Sequence, residues 1–440
     1  MYTNRKIWEV SYPIFLGLLA QNVINVTDTA FLGRVGEVEL GAAAMGGLYY
    51  ICAFTIAFGF STGSQIVIGR RNGEGHYNQI GPVMWQGVFF LLSLAVMLFV
   101  LSHLFAADVM RALVSSGAIL NATVEFLDWR VYGFFFSFAS VMFRALFIGI
   151  TRTKVLTLNA VVMAITNVLL DYLLIFGHGG FPEMGIRGAA IASVIAEAVS
   201  ILFFVVYTKF TVDIKKYALD QIRSFDWALL RRVLDISVFM MMQYFLSIST
   251  WFMFFVAVEH LGQRELAVAN IVRSIYVVML IPVNSLATTT NTFVSNSIGA
   301  GAVDQVVPII KKVGKLSFVI MLFFSALVGL MPDWVLSVYT NDASLIDASV
   351  HSVYVIAGAL LIGSVANVAF NGVSGTGNTR SALWMETAVL VVYVLYIYLA
   401  GMRFRLPVAV CFMTEVIYYT GLLVASVIYL KKANWQNKKI

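Results

Sequence analysis

The feature that most constrains this chain is a series of twelve long apolar stretches separated by short polar segments. A hydrocarbon core about 30 Å thick takes roughly 20 apolar residues per helix, and 440 residues leave about 37 for each helix with its loop. Only 12% of the residues are charged, which excludes an ordinary soluble enzyme. Abundant glycine and few prolines fit packed helices rather than a β-barrel. We therefore predict an all-α polytopic membrane protein.

The twelve predicted spans fall into two sets of six. The first set lies near 7–31, 41–68, 80–106, 121–149, 154–176 and 185–209, and the second near 233–259, 266–296, 305–331, 345–371, 380–400 and 406–430. A polar stretch separates the two sets. We expect an N-terminal lobe at 1–210, a cytoplasmic linker at 211–232 and a C-terminal lobe at 233–440.

The basic residues predict the orientation of the spans. Arg5 and Lys6 precede the first span, which has no small-residue cleavage site, so we expect a retained helix with a cytoplasmic N-terminus. In that orientation most of the 29 lysines and arginines fall in cytoplasmic segments, and the outer loops contain Arg34, Arg111, Arg187, Arg264, Arg403 and Arg405. The positive-inside rule then predicts a multi-pass inner-membrane protein with both termini cytoplasmic. A nucleic-acid partner is disfavoured, because the basic residues are dispersed through short loops.

The two halves of the sequence resemble each other. The turn with Gly73, Gly75, Gln79 and Pro82 recurs with intact spacing as Gly299, Gly301, Gln305 and Pro308, and Arg187 with Glu197 recurs as Arg405 with Glu415. Such internal symmetry is typical of transporter folds. Because Glu197 and Glu415 are equivalent, a shared structural role is the favoured interpretation for that pair.

Five acids lie well inside predicted spans: Asp28, Asp171, Glu197, Glu386 and Glu415. An intramembrane charge is costly, by about 2.5 to 3.5 kcal/mol on insertion scales, so each acid needs an explanation. One explanation is structural, in which the carboxylate satisfies a neighbouring helix end or hydroxyl. The other is functional, because carboxylates and carboxamides supply the oxygen ligands that a proton or small cation needs.

Two polar stripes contain two of these acids: Gln21, Asn25 and Asp28 on span one, and Asn159, Asn167 and Asp171 on span five. Extending the repeat places Ala257 opposite Asp28 and Val394 opposite Asp171. Acids that break the internal symmetry indicate a coupling site in the N-terminal lobe.

Span seven and Pro13 leave alternatives open. The run that includes Met240 either lines an adaptable drug site or fills the core. Gln243 and Ser247 form a neutral stripe that either faces a cavity or bonds a neighbouring helix. The predicted cavity candidates are therefore Gln21, Asn159, Met240, Gln243 and Ser247. Pro13 lies inside span one, where it produces either a fixed kink or a moving hinge.

The sequence contains no phosphate-binding loop, metal-ligand cluster or nucleophile–base–acid set, which argues against an ATP-driven pump and against an enzyme. A duplicated body with buried acids suits alternating access better than the constant pore of a channel. We expect no cofactor, and a gradient of H⁺ or Na⁺ as the energy source.

Several stretches resemble the multidrug and toxic compound extrusion (MATE) transporters. They are residues 22–33 (NVINVTDTAFLG), the turn 149–153, residues 167–177 and residues 185–190. The resemblance covers essentially the whole chain and is closest to the DinF-like branch, because Ser247, Ser249 and Asn367 stand on the spans where the NorM-like branch has embedded acids. It implies two pseudo-symmetric six-helix lobes that form a V.

By the same resemblance, Asp28, Asn167 and Asp171 match the N-lobe cation site, which can hold Na⁺, and Ser193 is a fourth member. We add Asn25 from the same face of span one. The implied function is export of organic cations and other amphiphilic drugs against H⁺ or Na⁺, by a monomer in the lipid bilayer. The alternative is a lipid-linked saccharide flippase of the same broad superfamily, which would need a larger and more basic cavity. Few embedded cations favour the exporter.

Overall fold

The computed structural model describes residues 2–114, 116–222 and 225–436. All regular secondary structure in these ranges is helical. The first seven helices are α1 (Asn4–Val35), α2 (Glu37–Gly73), α3 (Ile80–Leu113), α4 (Gly117–Arg130), α5 (Gly133–Gly149), α6 (Lys154–Ile175) and α7 (Gly185–Thr211). The next seven are α8 (Trp227–Glu259), α9 (Gln263–Gly299), α10 (Val306–Leu330), α11 (Pro332–Ser337), α12 (Ala343–Gly375), α13 (Thr379–Ile397) and α14 (Val408–Lys432).

Among the described residues, eleven helices are long and apolar enough to cross a membrane. The pair α4 and α5 brings the number to twelve when it is counted as one span, with a bend of 54° between the two helices. The prediction of twelve spans in an all-α membrane protein is therefore confirmed. The spans also run longer than predicted at several ends, as in α2 and α9, which continue to Gly73 and Gly299.

The predicted span at 121–149 is bent in the structure, because the helix breaks between α4 and α5. Gly133, the first residue of α5, stands against the side chains of Arg130 and Glu197. A Cβ at this position would overlap both side chains, so glycine permits the close approach that the bend requires. Hydropathy does not reveal this break, since α5 is as apolar as an unbroken span.

The predicted linker at 211–232 is shorter in the structure, because α7 ends at Thr211 and α8 begins at Trp227. Arg223 lies outside the described residues, as do Lys438 and Lys439 near the end of the predicted C-terminal lobe. Trp85 Nε1 on α3 donates a hydrogen bond to the carbonyl of Leu219 at 3.0 Å. The segment after α7 is therefore packed against α3.

The helices form two compact units. One, here called the N-terminal unit, is Tyr12–Met241, and the other, the C-terminal unit, is Met1–Ser11 with Met242–Ile440. In the N-terminal unit α2 packs on α4 and α5, and α6 packs on α7. In the C-terminal unit α12 packs on α9, α10 and α14. The predicted lobe limits at 210 and 233 were placed at the ends of the polar stretch in the sequence. The two compact units, which are defined by residue contacts, instead have their limits inside α1 and inside α8.

The first residues of the chain belong to the C-terminal unit because their contacts lie there. The Tyr2 ring stacks on Phe293 with ring centroids 3.9 Å apart, and Lys312 Nζ donates to the Tyr2 carbonyl at 2.8 Å. Ser285 Oγ donates to the carbonyl of Ser11. Helix α1 is thus continuous in backbone but divided between the two units just before Pro13.

The sequence repeat reappears as backbone geometry. After α2, Gly75 has a φ of 76°, and a short 3₁₀ helix at Tyr77–Gln79 leads into α3. After α9, Gly301 has a φ of 73°, and Val303–Gln305 leads into α10 in the same way. Positive φ is accessible to glycine without steric strain, which explains why both turns contain it at this position.

Candidate functional site

A cavity of about 800 Å³ lies inside the N-terminal unit, between helices α1, α2, α4, α5, α6 and α7. Its walls are largely apolar and include aromatic side chains such as Phe54 and Phe58. The polar and charged lining residues include Gln21, Asn25, Asp28, Tyr50, Arg130, Ser137, Arg144, Asn159, Asn167, Ser193, Glu197 and Ser200. An apolar wall with a few placed polar groups is typical of a small-molecule site.

Asp28, Asn167 and Asp171 meet at one end of this cavity. In the amide orientation that satisfies both of its polar atoms, Asn167 Nδ2 donates to Asp28 Oδ1 at 2.9 Å and to Asp171 Oδ2 at 3.2 Å. Asp171 is fully buried behind the cavity wall, whereas Asp28 is partly accessible from the cavity. The sequence places these residues on separate spans, and the fold brings all three together.

One oxygen of each carboxyl group lies close to the same Asn167 nitrogen, at 2.9 Å for Asp28 and 3.2 Å for Asp171, so the two acids are neighbours. Two charged carboxylates repel each other and only accept hydrogen bonds, so neighbouring acids favour a bound proton or a cation that both can bind. Asp171 Oδ1 has no hydrogen-bond partner in the part of the chain that the structure describes. The cluster therefore has the charge and the free oxygen that binding a small cation requires.

Local sequence explains how the helices position the cluster. Asn167 and Asp171 are four residues apart on α6 and share one face of the helix. On α7, Gly188 stands against the backbone of Leu174, where a Cβ would lie 2.7 Å from the carbonyl carbon. This close approach keeps α7 against α6. Thr157 Oγ1 on α6 donates to the carbonyl of Pro13 at 3.3 Å, which joins α1 to α6.

The remaining predicted polar residues of the N-terminal lobe also line the cavity. Gln21 and Asn25 are exposed on α1, and Ser193 contributes from α7. Asn159 is buried, and its Nδ2 donates to Ser200 Oγ at 2.9 Å while its Oδ1 has no partner among the described residues. The structure therefore places these four side chains around one space, and their roles stay predictions.

The structure does not bring the candidates of span seven to this cavity. Met240 is fully buried, and its backbone packs against Gly59 of α2. Gln243 is buried, and Ser247 Oγ donates to Glu386 Oε1 within the C-terminal unit. For Met240 and Ser247 the contacts match the alternatives in which these residues fill a core or bond a neighbouring helix.

Sequence reasoning missed a polar network on the same cavity wall. Arg130 Nη1 and Nη2 donate to Glu197 Oε2 and Oε1 at 3.0 and 2.7 Å, and the Arg130 guanidinium lies 3.5 Å from the centroid of the Tyr50 ring. The Tyr50 hydroxyl donates to Glu197 at 3.1 Å and lies 2.8 Å from Ser137 Oγ. The buried charge of Glu197 is therefore compensated by a cation and by hydroxyl donors.

The repeat relates Arg187 and Glu197 to Arg405 and Glu415, and among the described residues no ion pair joins Arg187 to Glu197. Arg187 instead stacks on the Trp129 ring at 4.6 Å. The sequence did contain a signal for this network. Tyr276 follows Tyr50 by the same number of residues as Gly299 follows Gly73, so the two tyrosines occupy equivalent places in the repeat. Tyr276 donates to Glu415 at 3.1 Å, as Tyr50 does to Glu197. The repeated element is thus a tyrosine–glutamate contact.

Comparisons with known proteins agree with the fold. The MatE family model matches residues 13–173 and 238–399. A relative from Agrobacterium fabrum, named "Probable multidrug resistance protein NorM", is 29% identical over 231 residues, which cover 51% of this chain and 49% of that relative. A relative of the same name from Thermotoga maritima is 23% identical over 380 residues, which cover 86% of this chain and 81% of that relative. The first match thus spans about half the length of the relative, and the second most of it.

Two solved structures share the fold. One is described as the outward-facing conformation of a multidrug resistance MATE family transporter, with a TM-score of 0.85, 18% identity, and coverage of 96% of this chain and 93% of that one. The other is a eukaryotic MATE transporter, with a TM-score of 0.87, 16% identity, and coverage of 98% and 96%.

Proposed function

The chain belongs to the MatE family, and from that premise we propose that it exports amphiphilic organic cations across the inner membrane in exchange for H⁺ or Na⁺, by alternating access. It is a multi-pass membrane transporter and not an enzyme. The finer branch assignment, DinF-like, stays a prediction. The flippase alternative is not favoured, because the relatives carry the names of multidrug resistance proteins.

The observation that carries this proposal is the cluster of Asp28, Asn167 and Asp171 beside a large apolar cavity. Acidic groups at the end of an apolar space suit a ligand with a cationic head and an apolar body. The same acids suit H⁺ or Na⁺, because carboxylate and amide oxygens are ligands for both. One cluster can therefore serve the drug and the coupling ion in alternate states.

The aromatic lining supports an amphiphilic substrate. Tyr50, Phe54 and Phe58 lie on successive turns of α2 along the cavity. Aromatic faces attract organic cations through their ring quadrupole, and they bury apolar surface at the same time. The Arg130 guanidinium on this wall is paired with Glu197, so it does not oppose a cationic ligand as a lone charge would.

Coupling follows from competition at the cluster. A ligand shifts a conformational equilibrium only by its differential affinity for the two states. Binding of H⁺ or Na⁺ between Asp28 and Asp171 neutralises the charge that attracts the drug, so the ion-loaded state releases it. By linkage, drug binding must weaken ion binding by the same factor.

The test is transport of ethidium, a permanent organic cation, by purified protein in proteoliposomes under an imposed pH gradient or Na⁺ gradient. We expect one of the two gradients to drive flux in the wild type. Asp28→Asn and Asp171→Asn should each lower that flux about 30-fold or more, since removing a buried charged partner costs about 2–5 kcal/mol. The control Glu37→Gln changes an exposed acid outside the cavity and should keep wild-type flux.

Two results would contradict the proposal. Full gradient-driven flux in both aspartate variants would remove the cluster from the coupling mechanism. Absence of ethidium flux under either gradient, in wild-type protein that is folded and inserted, would exclude a cation-coupled exporter of organic cations.

A further inference from the structure

A second pair of buried acids lies in the C-terminal unit, away from the residues used above. Glu386 on α13 is 3% exposed and Glu415 on α14 is 5% exposed. The sequence places both inside predicted spans, and the proposed coupling cluster uses neither. Their surroundings consist of hydroxyl groups rather than basic side chains.

Glu386 accepts two hydrogen bonds on one oxygen and none on the other. Ser247 Oγ donates to Glu386 Oε1 at 2.5 Å, and the Tyr418 hydroxyl donates to the same oxygen at 2.9 Å. Glu386 Oε2 is buried and has no hydrogen-bond partner in the described part of the chain. A buried polar atom without a partner destabilises the fold, so this oxygen needs a ligand or a proton.

Glu415 is bound on both oxygens by tyrosines. The Tyr393 hydroxyl donates to Oε1 at 3.0 Å, and the Tyr276 hydroxyl donates to Oε2 at 3.1 Å. The Tyr276 and Tyr419 hydroxyl oxygens are 2.6 Å apart, which extends the network by one more group. Hydroxyl groups can both donate and accept, so such a network can rearrange when a proton arrives.

The contacts of α13 and α14 are reciprocal. Helix α13 contributes Glu386 and Tyr393, and helix α14 contributes Glu415 and Tyr418. Each tyrosine donates to the glutamate of the opposite helix. The two rings also meet edge to face, with centroids 6.1 Å apart. The two acids are therefore parts of one cluster, so a change at one is transmitted to the contacts of the other.

The charges around this cluster are unbalanced. The titratable groups that face the two acids are Tyr276 from α9, Tyr393 from α13, and Tyr418 and Tyr419 from α14, while α8 contributes Ser247 and α12 contributes Asn367. No basic side chain among the described residues makes an ion pair with Glu386 or Glu415. By contrast Glu197, the equivalent of Glu415 in the other half, forms an ion pair with the Arg130 guanidinium.

The ligand that fits this arrangement is a proton. Two buried carboxylates without a cation are strongly unfavourable inside a membrane protein, and protonation removes that charge. The neighbouring hydroxyls direct their hydrogens at the carboxyl oxygens, which is the opposite of the lone-pair orientation that a metal cation needs. Among the described residues this cluster contains two acids, one on α13 and one on α14.

We propose that Glu386 and Glu415 form a second proton-binding site, which lies in the C-terminal unit and is linked by the reciprocal tyrosines Tyr393 and Tyr418. Glu386 Oε2 is the atom that carries the first proton, since every other carboxyl oxygen of the pair already accepts a hydroxyl. Proton binding here does not require the N-terminal cluster. Its contribution to transport rests on the proposed exporter function.

The test is pH-dependent infrared difference spectroscopy of the purified protein in detergent, which detects the C=O stretch of protonated carboxyl groups. The background is the Asp28→Asn/Asp171→Asn double variant, which removes the acids of the N-terminal cluster. We expect a carboxyl band that persists at about pH 6, where exposed carboxyl groups such as Glu37 are ionised, and that is lost at higher pH. Glu386→Gln and Glu415→Gln, each added to this background, should each remove part of the band, and Glu37→Gln should leave it intact.

Absence of a carboxyl band at about pH 6 in the folded double variant, or a band that both glutamine variants leave intact, would overturn the proposal. The first of these readouts needs no glutamine variant, so misfolding of Glu386→Gln or Glu415→Gln does not remove the test. Ethidium flux in proteoliposomes reports separately on the proposed function. A titrating band without gradient-driven flux would overturn the exporter and leave the proton site in place.

Discussion

Arg130 and Glu197 form a two-point ion pair inside the N-terminal unit, with N–O distances of 3.0 and 2.7 Å, and the Tyr50 ring covers the guanidinium. The pair joins the end of α4 to the middle of α7 across the bend that separates α4 from α5. It lies on the wall of the proposed drug cavity. Its geometry fixes the shape of that wall.

We expect Arg130→Met to destabilise the protein by about 3–5 kcal/mol, because it leaves the Glu197 carboxylate buried without a cation. The double variant Arg130→Met/Glu197→Gln should recover most of this loss, since the uncompensated charge is then gone. The measurement is the thermal midpoint of unfolding in detergent. Arg187→Met is the control, because Arg187 only stacks on Trp129 and its loss should cost about 1 kcal/mol or less. Equal losses in the Arg130 single and double variants would contradict this explanation.

We expect Asn167→Ala to strengthen binding of a coupling proton while drug binding persists, because the amide donates to both carboxylates and so stabilises their charged form. The amide bridges Asp28 and Asp171, so its removal leaves a buried acid with one donor fewer, at a cost of about 1–3 kcal/mol. The half-saturating H⁺ concentration for ethidium flux should fall about fivefold or more, since about 1 kcal/mol is lost from the charged state and not from the protonated one. The control Asn22→Ala changes an amide on α1 that is not among the cavity-lining residues. No difference between the two variants would exclude this role of Asn167.

We expect the coupling ion and the drug to oppose each other at equilibrium. Lowering the pH or adding Na⁺ should raise the apparent Kd for ethidium in the wild type, because both ligands use the charge of the Asp28–Asp171 pair. Fluorescence titration of the purified protein measures this Kd directly. The dependence should disappear in Asp28→Asn. A variant that keeps the wild-type pH or Na⁺ dependence would rule out Asp28 as the coupling residue.

We expect Pro13→Ala to slow ethidium turnover more than it weakens ethidium binding. Proline inside a helix removes one backbone hydrogen bond and lowers the resistance to bending, and Pro13 lies where α1 passes from one compact unit to the other. Turnover in proteoliposomes and Kd in detergent give the two values. Pro332→Ala is the control, since proline at the start of α11 occupies a position that it suits. Equal losses in turnover and affinity, or none, would favour a fixed kink.

The sequence by itself determined the membrane class and the number of spans. Each span satisfies its own backbone hydrogen bonds and needs only sufficient apolar length, so hydropathy reveals it without knowledge of its neighbours. The polar face of Asn167 and Asp171 was equally readable, because residues four apart share one side of a helix. The turns at Gly75 and Gly301 were readable as a repeat for the same local reason.

Only the tertiary structure decided which polar groups meet. Glu197 pairs with Arg130 from another helix rather than with Arg187, and the pairing depends on a bend between α4 and α5 that hydropathy does not reveal. Glu386 and Glu415 receive their hydroxyl donors from helices distant in sequence. Side-chain partners inside a membrane protein depend on helix rotation and register, which are set by packing between helices and leave no periodic signal within any one of them.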